Sequence, residues 1–138
     1  MDEYCEKQTI LDKNIRWHFI GHLQSNKVAK LIESNLYILE TLDSEKLAEK
    51  IDRAIKSRNL PPLKVFIQVK MSGEDTKHGI EGLENVIKLA KRVQVEFTSL
   101  ELSGLMCIGQ SGDLSVFSEL KDIRSQVAKE LSVDENTL

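Results

Sequence analysis

Four short apolar runs, Arg16 to Ile20, Leu36 to Glu40, Leu63 to Val69 and Leu100 to Ile108, alternate along the chain with four stretches of helical periodicity. That order is the mark of repeated βα units built on a parallel sheet. Each run is near-continuously apolar, as strands covered on both faces are, so all four are expected strands. Between them, Val28, Leu31 and Ile32 begin one helical stripe. Leu47, Ile51, Ala54 and Ile55 form a second, with Asp43 or Ser44 as its N-cap and Asn59, Pro61 and Pro62 as its stop. Leu83, Val86, Ile87, Ala90 and Val93 make a third stripe, and Phe117, Leu120, Ile123, Val127 and Leu131 a fourth, so each helix offers one apolar face to a sheet.

Length and composition agree with this α/β reading. The 138 residues are 41% hydrophobic and 30% charged, enough for one folded domain with a core. Residues 1–14 are polar and read as an arm or the end of a preceding helix, leaving 15–138 as the βα domain. The net charge of -3 gives no basic field for nucleic acid. Cys5 and Cys107 are too few and too far apart in sequence to suggest a disulfide framework, and both are expected to be free thiols. No apolar run reaches the ~18 residues of a membrane span, and the acidic start lacks the basic region of a secretory signal. No membrane partner is expected. A cytoplasmic location is, without excluding association with mitochondria.

In parallel α/β folds the chemistry gathers beyond the carboxyl ends of the strands, and the polar residues follow that rule. Gly21, His22, Gln24, Ser25 and Asn26 follow the first strand, and Thr41, Asp43 and Ser44 the second. Lys70, Ser72, Gly73, Glu74, Asp75, Lys77, His78 and Gly79 follow the third, and Gly109, Gln110, Ser111 and Gly112 the fourth. His18 and His22 lie four apart, but the spacing straddles a strand and a glycine turn with no Cys or carboxylate in the segment, so no metal site is expected. His22 is expected to cap the next helix or to face solvent. The turns Ser72-Gly73-Glu74 and Gln110-Ser111-Gly112 lack the Lys-Ser/Thr ending of a nucleotide-binding loop.

Three of these segments carry a family likeness. Trp17-His18-Phe19-Ile20-Gly21-His22-Leu23-Gln24-Ser25-Asn26-Lys27 resembles the Trp-His-Phe-Ile-Gly-x-Leu-Gln-x-Asn-Lys segment of the pyridoxal phosphate homeostasis proteins, also called proline synthetase co-transcribed homologues. Gln68 to Gly79 resembles their third-strand loop, and Ser103 to Gly109 their Gly-Leu-Met-x-Ile-Gly strand, with Lys70 in place of the usual Asn and Cys107 in place of the usual Thr. The resemblance implies a partial (β/α)8 TIM-type barrel of the alanine racemase N-terminal type, with about four βα units corresponding to strands three to six. It implies binding of pyridoxal 5'-phosphate in intracellular homeostasis of that cofactor, without catalysis. Phe19, Ile20 and Met106 are the cofactor-binding positions it carries over, with Lys77 and Glu74 beside them; no catalytic residue is carried over.

The bland rival is core packing, since Trp17, Phe19 and Ile20 would be buried in any parallel strand and Met106 fills gaps as readily as it contacts a pyridine ring. By the same resemblance, the family's covalent lysine would lie before residue 1 and its phosphate loop after residue 138, so the chain reads as truncated at both ends with impaired binding. Lys70, at a strand end, is the substitute lysine to consider. The alternatives are a racemase-like enzyme and a non-catalytic interaction fragment. A half barrel is expected to leave its inward apolar layer in water, at ~1.5 to 3 kcal/mol for each of roughly six to eight side chains, and to self-associate through exposed sheet edges.

Overall fold

The computed structural model describes residues 4, 6–7, 10–71, 78–109 and 112–138. Strands β1 (Trp17–Phe19), β2 (Leu36–Leu42), β3 (Leu63–Lys70) and β5 (Leu100–Met106) lie side by side in that order, all parallel. The two-residue strand β4 (Ile80–Glu81) pairs with Val69 and Lys70 at the carboxyl end of β3. It is too short to leave an alternation, and the sequence pattern does not reveal it. Helices α1 (Val28–Ile32), α2 (Glu45–Arg58), α3 (Leu83–Val95) and α4 (Ser115–Leu131) complete the βα order.

Helix limits follow local chemistry. Ser44, not Asp43, caps α2, its hydroxyl accepting from the Leu47 backbone N–H, which leaves the Asp43 carboxylate free for another partner. Asn59 closes that helix in the left-handed conformation that Asn tolerates, before Pro61 and Pro62. In α4 the buried stripe starts at Val116 rather than at the expected Phe117, which is 52% exposed and lines a cavity of about 390 Å³ with Phe66, Gly104 and Leu120.

One face of the sheet carries the core. Leu39, Val65, Ile67 and Val69 pack with Leu31, Ile51, Ile55, Leu89 and Val127 from the helices in one apolar cluster. The opposite face follows from register, since cross-strand partners point the same way. His18 pairs with Ile38, Ile38 with Lys64, and Lys64 with Glu101; Phe66 pairs with Gly104 and Gln68 with Met106. That face is therefore mixed, with His18, Lys64, Glu101 and Gln68 set among Ile38, Phe66, Gly104 and Met106, and not the uniformly apolar layer expected of an opened barrel. His18 bonds Glu40 at 2.6 Å and Lys64 sits 3.8 Å from Glu101. The expected desolvation loss shrinks accordingly, because charged side chains left in water lose nothing by it.

Of the polar arm, Tyr4 reaches the sheet. Its hydroxyl bonds Ser34 at 2.9 Å, and its ring meets Trp17 edge-on at 5.6 Å.

Candidate functional site

The carboxyl ends of β1, β2 and β3 meet at a rim assembled by backbone devices. Gly21 follows β1 at φ 112°, and its carbonyl accepts from the fully buried Thr41 hydroxyl at 2.8 Å. This ties the β1 turn to β2 and aims His22 across it. Before β4, Gly79 takes φ 114° and presses on the backbone of Lys70, leaving no room for a side chain. The amide of Gln68, only 2% exposed, reaches the His78 carbonyl at 3.5 Å.

Three polar side chains converge as a result. His22 Nδ1 lies 3.1 Å from Asp43 Oδ2, and the His22 ring stacks on the His78 ring at 4.0 Å between centroids and 10° between planes. Asp43 is the more enclosed of the ion-pair partners, at 11% side-chain exposure against 43% for His22. His22 therefore faces solvent at the rim, as one of its two expected roles had it. The short helical turn Ser25–Lys27 that follows carries no side-chain cap. The carboxylate that the His18–His22 segment lacks comes from Asp43, just past β2, and the imidazole that joins His22 is that of His78, before β4, not that of His18.

The carried-over positions fall in different places. Met106 ends β5 on the face turned away from the helices, beside Gln68 by register, and is half-buried. Ile20 stands just past β1 and is 61% exposed, at the rim. Phe19 pairs in register with the core residue Leu39 and packs against the helix-side cluster, so it belongs to the opposite layer. Its ring meets Tyr4 at 6.3 Å, a packing contact rather than an open one. Glu74 and Lys77 lie outside the described residues, as do both Ser72-Gly73 and Gln110-Ser111. Lys70 holds its ammonium 4.0 Å from Glu81 at the mouth of β4, and Cys107 is half-buried just past β5.

One further polar device stands next to the rim. Asp113 accepts from the Ser115 backbone N–H at 2.8 Å and from its hydroxyl at 2.6 Å at the start of α4. The Ser115 hydroxyl and then its backbone N–H hold the Asp113 carboxyl below its usual range.

No protein-family model matches the chain. It is 41% identical over 127 residues to the pyridoxal phosphate homeostasis protein of Homo sapiens, a match covering 86% of this chain and 46% of that protein. With the protein of the same name from Schizosaccharomyces pombe it shares 38% identity over 140 residues, covering 96% and 58%. The chain spans about half the length of such relatives. Among solved structures, PipY of Synechococcus elongatus without PLP superposes with a TM-score of 0.82 at 24% identity, over 94% of this chain and 61% of that one. The PLP-bound form of PipY gives 0.76 at 23%, over 91% and 57%. An alanine racemase of Clostridium difficile gives 0.58 at 18%, over 98% and 33%. These likenesses establish the architecture as part of a TIM-type barrel.

Proposed function

Because this chain is a homologue of the pyridoxal phosphate homeostasis proteins, matching about half their length, we propose that it supplies one wall of a pyridoxal phosphate site and serves to hold that cofactor. The observation that carries this reading is the place of Met106 and Ile20. Both stand at the carboxyl ends of parallel strands, where α/β folds bind ligands.

The residues fit the flat part of the group. Met106 offers a polarizable thioether to an aromatic ring, and Gln68 beside it brings an amide already fixed to the His78 carbonyl. When bound, the cofactor supplies a reactive aldehyde on an electron-poor ring, which the protein tunes by its contacts. Lys70 is a lysine of this rim, but its ammonium is engaged with Glu81. The described residues thus match a ring wall better than a covalent anchor, and holding by this span is weak and reversible.

Holding rather than turnover is favoured by the relatives' names, which state homeostasis and no reaction. Racemisation would need a positioned base opposing a lysine. A cytoplasmic location belongs to the same reading. No helix of the described residues is long and apolar enough to cross a membrane.

Equilibrium titration with pyridoxal phosphate tests the proposal. Met106→Ala should weaken binding by about tenfold, the equivalent of ~1.4 kcal/mol of lost contact. Borohydride reduction followed by peptide mapping should leave Lys70 unlabelled. Affinity unchanged by Met106→Ala, or label at Lys70, contradicts it.

A further inference from the structure

We infer that His22, Asp43 and His78 form a binding site for a zinc-class divalent cation. The three residues come from three separate strand ends, and one candidate ligand atom from each lies within 4.8 Å of the others. Two imidazoles and one carboxylate are a donor set that zinc takes with its remaining position open to water. Magnesium and calcium, which want all-oxygen shells, are poorly served by it.

Part of the geometry that such an ion needs is already in place. Bonds of ~2.0 to 2.2 Å in a tetrahedron place ligand atoms about 3.4 Å apart. His22 Nδ1 and Asp43 Oδ2 stand at 3.1 Å already. His22 and His78 stack nearly parallel, with 4.0 Å between centroids, so the two rings are neighbours whose in-plane lone pairs converge on one ion only when one ring turns out of the stack. Both rings are solvent-accessible, and a change of the His78 side-chain torsions that turns its ring out of the stack completes the set.

The supports are more rigid than the rings. Thr41, fully buried, holds the turn that carries His22 through the Gly21 carbonyl. Gln68, equally enclosed, reaches the carbonyl of His78 itself. Asp43 is fixed between the end of β2 and the Ser44 cap of α2. Ligands hung on anchored backbone lose little entropy on binding, which is the condition for a site rather than a chance encounter. A bound ion would tie the loops after β1 and β2 to the residues before β4.

The proposal stands apart from cofactor binding and is tested without pyridoxal phosphate. The untagged full chain with Cys5→Ser and Cys107→Ser, which removes competing thiols, is titrated with zinc chloride by calorimetry and with cobalt(II) by visible absorption. One ion per chain is expected, with the intense bands of four-coordinate cobalt. Asp43→Asn and His78→Gln should each weaken zinc binding at least tenfold, while His18→Gln, in the separate pair with Glu40, should leave it unchanged. Circular dichroism shows whether each variant is folded. No zinc binding by the parent chain, or binding that survives both Asp43→Asn and His78→Gln, overturns the site.

Discussion

A Cβ at Gly79 would sit 2.9 Å from the backbone nitrogen of Lys70 and 3.2 Å from its Cα. The rim therefore depends on a bare residue packed against a neighbouring strand, at a positive φ that L side chains rarely adopt. Gly79→Ala meets strain and a clash with main chain that cannot swing aside. It should destabilise by about 2 to 4 kcal/mol. Gly21→Ala shares the positive φ but finds open space, so strain alone applies, at about 1 to 2 kcal/mol. Denaturant unfolding of the two variants checks the difference; equal losses would remove the clash from the account.

Asp52 tests how α2 is fastened to the sheet. Its carboxylate is buried, with Oδ1 accepting from the Ser99 backbone N–H at 2.9 Å and Oδ2 from Lys56 at 2.8 Å. Asp52→Ala leaves the Ser99 N–H without its acceptor and should cost about 1 to 3 kcal/mol. Asp52→Asn keeps an oxygen for Ser99 and loses only the pair with the half-exposed Lys56, so its loss should be the smaller. Urea midpoints of both variants decide the ranking.

Acid sensitivity should trace to the cluster between α2 and α3. Hydrogen bonds from Lys88 and then Arg92 hold the Glu45 carboxyl below its ordinary 4.5, and the Arg92 guanidinium does the same for Glu96. Arg92 is itself pushed up, by Glu96 first and Glu45 second. A carboxylate whose folded pKa is depressed adds stability that is full above its unfolded pKa and disappears as pH falls through the folded one. Stability from these groups should hold down to about pH 4.5 and decline below it. Arg92→Gln should flatten that decline, and salt should shrink it because the groups are exposed. Unfolding midpoints from neutral pH downward test this; an unchanged slope in Arg92→Gln would contradict it.

Much of the architecture was readable because burial writes itself into residue spacing. The four main strands and four helices sit within a few residues of where the apolar runs and stripes place them. What the runs hide is the face: a near-continuous apolar strand does not say which side meets the helices. The family resemblance groups Phe19 with Ile20 and Met106, whereas register with Leu39 puts it in the helix-side layer. Nor does spacing show that Lys64, Gln68 and Glu101 share the face turned away from the helices, because their cross-strand pairing is a property of register. The His22, Asp43 and His78 cluster is equally invisible, since its members come from three distant segments. The one usable signal was the double candidacy of Asp43 and Ser44 as a helix cap. Once Ser44 takes that role, a carboxylate at a strand end is left to find a partner.

Chemical-shift mapping of the isotope-labelled chain during titration with pyridoxal phosphate tests the central claim most directly. The account predicts saturable shifts concentrated at the amides of Ile20, Gln68 and Met106, at the carboxyl ends of the strands. Shifts confined to the helix-side layer around Phe19 and Leu39, or none at saturating cofactor, would contradict it.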